Sequence, residues 1–161
     1  MSSRRSRVGG LAAAALAVGM LAGCGSYGVA ATVNGTTITE NEVRTAAAEI
    51  TKQNGGQTPY SEQQALVMLI LAPTVLAEAR TAHVAATEAQ ARSQLTRVPD
   101  PARATLTIVQ AGDAYNALPA SSKTRLGAAF SRLDVSMNPR YGTFDTAKGF
   151  AAEAPPWIAA G

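Results

Sequence analysis

The stretch Ala65-Leu66-Val67-Met68-Leu69-Ile70-Leu71-Ala72 holds eight successive apolar residues, and Ser61-Glu62-Gln63-Gln64 stands directly before it. Ser followed three residues later by Gln is a capping box, so the run predicts a helix. A surface helix needs only one apolar stripe, whereas this one is apolar on all sides. The rest of the chain must therefore be arranged around it. Either neighbouring elements cover it completely, or one face stays open for a partner. On the second reading the partner-facing side chains are Leu66, Leu69, Ile70, Leu71 and Leu76. Pro73 lacks the N–H that would bond the Leu69 carbonyl, which predicts a kink, with the helix resuming through Leu76, Ala77 and Arg80.

The other pieces read as suitable cover. Val29–Val33 and Thr36–Ile38 flank Asn34-Gly35, and Asn-Gly between β-prone runs marks a two-residue hairpin. Two strands alone are marginal and need a further strand or a helix beneath them. Thr39 and Glu42 make a first capping box, and Val43, Ala46, Ala47 and Ile50 recur at helical spacing up to the stop at Asn54-Gly55-Gly56, predicting a helix over 39–53. A third helix starts near Ala86-Thr87 and runs to about Thr96. Pro99-Asp100-Pro101 stops and restarts the chain, with Pro101 suited to a first helical position. Ala104, Ile108, Ala111, Tyr115 and Leu118 give a fourth helix its face, and Leu126, Ala129, Phe130 and Leu133 a fifth. Val135–Met137 is extended, and Asn138-Pro139-Arg140-Tyr141-Gly142 turns. The fold class is mainly α, with about five helices and a small β element.

The N-terminal segment predicts an address. Arg4, Arg5 and Arg7 precede an apolar run from Leu11 to Leu21, and Leu21-Ala22-Gly23-Cys24 closes it. A cationic start, a short apolar core and small residues before a cut make a secretory signal. Arg4-Arg5 lacks the apolar pair that a twin-arginine signal carries soon after, and the choice between Sec and Tat export stays open. Leu-Ala-Gly-Cys resembles the lipobox of bacterial lipoproteins, in which the Cys sulfur is lipidated and becomes the mature N-terminus. The resemblance implies a signal over 1–23, a lipidated Cys24 with a tether to 28, and an anchor on the extracytoplasmic face of the cell membrane. Palmitate-type acyl chains contribute about 0.8 kcal/mol per buried methylene to such an anchor. The formal charge of +3 belongs to this signal: from Cys24 onward, 11 basic side chains meet 11 acidic ones. The helical domain then spans 29–146, with a flexible Ala-, Gly- and Pro-rich tail over 147–161.

Little in the sequence points to catalysis. The single histidine, His83, falls at a predicted helix end, where a dipole contact accounts for it. Glu42 has a capping role, and Glu40 and Glu49 read as solvated. No Gly-rich phosphate loop follows a strand, metal-ligand spacing is missing, and few aromatics are present for base stacking. The expectation is therefore no enzyme, no cofactor, no metal and no nucleic-acid partner. Within Asn138–Gly142, Arg140 and Tyr141 can either offer a charge and an aromatic edge to a partner, or serve structure. In the structural reading Gly142 takes a positive φ and Arg140 meets a carboxylate.

The order of these pieces resembles a known family. Val-Ala-Ala-Thr-Val-Asn-Gly-Thr-Thr-Ile, then Thr39 with Glu-Asn-Glu-Val, then the Leu66, Leu69 and Ile70 signature, is similar to the N-terminal chaperone domain of SurA-type and PrsA-type foldases. Val-Ser-Met-Asn-Pro-Arg-Tyr-Gly resembles the C-terminal piece of short actinobacterial lipoproteins that keep only this domain. The resemblance implies a third strand, formed where the C-terminal segment returns to pair with the N-terminal one. It also implies a chaperone-like function toward unfolded or secreted polypeptides. The foldases insert a parvulin isomerase domain before the C-terminal piece, but here only about 36 residues separate Arg97 from Asp134, and they read as helices. A parvulin site needs two histidines, so isomerase activity is not implied. A non-catalytic scaffold or accessory subunit of a cell-envelope complex remains the alternative.

Overall fold

In the computed structural model, which describes residues 28–145 and 149–151, the chain begins with the Asn-Gly hairpin. Strands β1 (Val29–Val33) and β2 (Thr36–Thr39) pair antiparallel, with Val33 opposite Thr36. Asn34 and Gly35 both have positive φ, 48° and 80°, the requirement of a type I′ turn. Strand β3 (Val135–Met137) lies antiparallel on the other side of β1, pairing Ala31 with Met137 and Val33 with Val135. The sheet order is β2-β1-β3. Asn34 holds this closure twice, since its N–H donates to the Asp134 carbonyl at 2.8 Å and its Oδ1 accepts the Asp134 N–H at 3.0 Å.

Five helices complete the mainly α fold: α1 (Glu40–Gln53), α2 (Glu62–Thr81), α3 (Glu88–Gln94), α4 (Arg103–Ala117) and α5 (Ala120–Phe130). Both capping boxes form. The Thr39 hydroxyl accepts the Glu42 N–H while the Glu42 carboxylate takes the Thr39 N–H, and Ser61 and Gln64 repeat the exchange. Two helix ends use the six-to-one Schellman closure. In α1 the Gly56 N–H reaches the Thr51 carbonyl around Gly55. In α2 the Val84 N–H reaches the Ala79 carbonyl around His83, which takes φ 55° where glycine is usual.

Helix α2 forms the axis. It packs on α1, α4 and α5, and Ala65, Leu66, Ile70 and Ala72 are fully buried along it. Its length and apolar character would suit a membrane span, but here they suit a core helix whose neighbours are protein. One apolar cluster joins the sheet, α1 and the first half of α2 through Ala30, Val43, Leu66 and Ile70. A second joins the later half of α2 to α4 and α5 through Val75, Ala79, Ala114 and Leu126.

Helix α2 does continue past Pro73, running from Glu62 to Thr81 with the proline exposed to solvent. Several expectations need correction. Pro101 is not a first helical residue: α4 starts at Arg103 behind an extended Ala102, so the proline precedes the cap. Tyr115 is not on the buried face of α4 but is 44% exposed; Ala114 takes that place at 0%. Glu49 is not solvated. Its Oε2 accepts the Ala102 N–H at 2.9 Å and the hydroxyl of fully buried Thr105, fastening α1 to the start of α4. Regular structure also extends into the expected tail, where β5 (Gly149–Ala151) pairs antiparallel with β4 (Thr143–Asp145).

Candidate docking groove

Helix spacing decides which apolar residues of α2 remain accessible. Leu66 and Ile70 are 0% exposed and Leu69 is 9% exposed, all turned into the first cluster. These three are core residues and present nothing to a partner, which removes them from the expected binding set. Leu71 and Leu76 are only partly buried, and they fall on different sides. Leu76 borders a small hollow of about 180 Å³ with Val84, Ala86 and Gln110. Leu71 faces a larger groove.

That groove runs between α2, α4 and α5 with a volume of about 380 Å³. Met68, Leu71, Ala72 and Val75 form its α2 wall, an i, i+3, i+4, i+7 stripe. Ala111, Gly112, Tyr115 and Asn116 form the α4 wall, and Phe130 of α5 closes one end. Small side chains create the space. A Cβ placed on Gly112 would touch nothing within 4 Å, so α4 leaves a notch where a larger residue would have filled the cleft. Among the described residues no charged side chain lines it, although the Lys123 ammonium sits 5.1 Å from the centre of the Tyr115 ring, at the rim. An ammonium over an aromatic face is attracted by the ring quadrupole and holds Tyr115 in place.

A shallower hollow of about 450 Å³ continues along α2 over Tyr60, Gln63, Gln64, Val67 and Met68. Met68 borders both, so the two join into one track down the side of α2. Tyr60 is held by its backbone, its N–H donating to the Thr51 hydroxyl at 2.8 Å, and partial burial pushes its phenol pKa up.

The Asn138–Gly142 turn lies at the head of this track. Asn138 caps a 3₁₀ turn over Pro139–Tyr141, its Oδ1 accepting the Arg140 N–H at 3.1 Å. Its Nδ2 donates to the Val29 carbonyl at 3.2 Å and to Glu40 at 3.3 Å. The Arg140 guanidinium meets Glu40 at 3.2 Å, so Glu40 is paired and not free in solvent. Gly142 takes φ 97°. Tyr141 is 3% exposed, and its hydroxyl donates to Glu62 at 3.1 Å. Burial first, and the Glu62 hydrogen bond second, push the Tyr141 pKa up. Gln63 Nε2 donates to the Tyr141 carbonyl at 3.4 Å. The turn thereby fastens the C-terminal strand to β1 and to the first turns of α1 and α2.

His83 is exposed at its helix end, and among the described residues every buried side-chain polar atom has a hydrogen-bond partner. Glu78, beside the second cluster, accepts from the Arg125 guanidinium, which also donates to the Ser122 hydroxyl at 2.8 Å, and Arg125 holds the Glu78 carboxyl below the usual value. Cys24, the expected lipidation site, lies outside the described residues. No family model, curated protein or solved structure matches the chain.

The sequence did not single out Tyr115 and Phe130 as groove residues. Both carried a helical apolar pattern that reads equally well as core. The one available signal was Gly112, a glycine inside an otherwise strong helix, where it weakens propensity by about 1 kcal/mol relative to alanine.

Proposed function

We propose that this chain is a membrane-anchored envelope lipoprotein whose helical domain holds unfolded or secreted polypeptides, in the manner of the SurA/PrsA-type chaperone domain and without isomerase chemistry. The observation that carries the reading is the uncharged groove between α2, α4 and α5. Its volume falls at the small end of ligand pockets, roughly 300–1,000 Å³, and suits a few apolar side chains from an extended segment better than a folded partner. Met68 at the junction of the two hollows provides an adaptable thioether surface, a property that favours varied clients over one ligand. The anchor rests on Leu21-Ala22-Gly23-Cys24, with the acyl chains keeping the domain where exported chains emerge.

A soluble form beginning at Ser26 should suppress aggregation of a chemically denatured client, and Tyr115→Asp should abolish that effect while leaving the helical circular dichroism unchanged. An exposed residue tolerates the charge, whereas an apolar client does not. No suppression at several-fold molar excess would refute chaperone activity and favour the scaffold or accessory-subunit alternative. For the anchor, Cys24→Ser should release the protein from the membrane fraction. Continued membrane recovery with an unshifted mass would refute lipidation.

A further inference from the structure

Helices α2, α4 and α5, which enclose the main groove, carry three carboxylates between them, and each is engaged elsewhere. Glu62 accepts the Tyr141 hydroxyl, Glu78 accepts the Arg125 guanidinium, and Asp113 accepts the Gln94 side-chain amide at 2.6 Å. Lys123 of α5 is half-buried, and among the described residues its ammonium meets no carboxylate. It rests instead over the Tyr115 ring. Tyr115 is in turn the one large apolar side chain left exposed among the described residues. The apolar wall of the groove thus ends, at that ring, beside a cation without a counter-charge.

The walls favour a hydrocarbon chain over a main chain. Among the described residues, Asn116 and the Tyr115 hydroxyl are the only polar side-chain groups that line the groove. A peptide backbone lying along the floor would leave buried N–H and C=O groups without partners, which is costly, so a polypeptide can send in only its side chains. A hydrocarbon chain has no such groups to satisfy. Met68 and Val75, the ends of the α2 stripe, lie seven residues apart. That is about 10 Å at 1.5 Å per residue, the extended length of about eight carbons at about 1.25 Å per bond. We infer that the groove binds a monocarboxylate with an apolar chain of about eight to ten carbons, its tail along the Met68–Val75 stripe and its carboxylate on the Lys123 ammonium. An ammonium has three donors, so Lys123 bonds the carboxylate without leaving the ring face. The site stands on the groove and Lys123 alone, whether or not clients use the same walls.

The form beginning at Ser26 keeps every described residue, and titration calorimetry with octanoate should show a single site. Along hexanoate, octanoate and decanoate, each added methylene should tighten binding about three- to four-fold. Octyltrimethylammonium has a chain of the same length and the opposite charge, and should bind about five-fold more weakly than octanoate or worse. Lys123→Gln should weaken octanoate about three- to five-fold, as for a partly exposed ion pair, and narrow the gap between the two probes. Gly112→Leu fills the notch where a Cβ has open space, and should abolish binding of both. Circular dichroism of the two variants should match the parent, and Lys123→Gln tests the head group independently of the notch. No octanoate binding at millimolar concentration would overturn the site. So would binding that Gly112→Leu leaves intact, or a preference for the carboxylate that Lys123→Gln leaves intact. Octanoate binding without suppression of client aggregation supports the carboxylate site and overturns client holding. Suppression without octanoate binding does the reverse.

Discussion

Leu66 and Leu71 lie five residues apart on one helix, yet their truncation should have sharply different costs. Leu66 is fully buried between α2, α1 and the sheet. Leu66→Ala removes three carbons there and leaves a cavity that packed neighbours cannot fill, which costs about 3–5 kcal/mol. A domain of this size has a total stability of roughly 6–18 kcal/mol. The variant should therefore fold, but melt about 12–20 °C lower at about 4 °C per kcal/mol. Leu71 already borders open space, so Leu71→Ala creates no closed cavity and forfeits only part of its transfer free energy, about 1 kcal/mol. Client binding should show the opposite order: once corrected for the folded fraction, Leu66→Ala binds as the parent does and Leu71→Ala binds more weakly. Urea and thermal melts followed by circular dichroism measure the first quantity, and aggregation suppression the second. Equal destabilisation by the two substitutions would refute the division of α2 into a core face and a groove face.

Three further outcomes follow from the local geometry. His83→Gly should stabilise the domain by about 1 kcal/mol, because glycine takes the left-handed end of α2 without a Cβ penalty; a lower melting temperature would contradict the closure described. Glu49→Ala should cost about 2–4 kcal/mol by leaving the Ala102 N–H and the buried Thr105 hydroxyl without their acceptor, and Glu49→Gln should recover part of it. A neutral effect of Glu49→Ala in denaturant melts would rule out the fastening role. Tyr141 is neutral in the fold and its pKa is raised, while an unfolded tyrosine ionises near 10, so its contribution is fully present below pH 10 and lost as pH rises through the folded value. Tyr141→Phe should accordingly flatten the alkaline fall of stability, and an unchanged slope above pH 10 would count against the buried phenol.

What was legible in the sequence was local. Thr39 with Glu42, Ser61 with Gln64, and Asn34-Gly35 each specify their geometry within four residues, and the helices and hairpin follow from them. Long-range partnership was less accessible. Glu49 looks solvated on its own helix because its acceptor role is completed by Ala102 and Thr105, more than fifty residues away. The faces of α2 could not be told apart because its apolar run has no polar side to set an orientation. Only the packing of α1, α4 and α5 distinguishes Leu66 from Leu71. Tyr115 was misplaced for a related reason: on a helix with small Ala111 and Ala114, the periodic pattern admits either face, and the larger ring goes where there is room. The pairing of Val135–Met137 with β1 had no signal in the spacing, because it joins segments from opposite ends of the described chain.

Methyl resonances of methionine provide the most direct test of the groove. From Cys24 onward the chain has two methionines, Met68 on the groove wall and Met137 in β3, outside the groove. Titration of a methyl-labelled sample with an unfolded polypeptide should shift or broaden Met68 while Met137 stays in place as an internal reference. An unmoved Met68 under conditions where the client binds would contradict the account, placing the binding surface elsewhere on the domain.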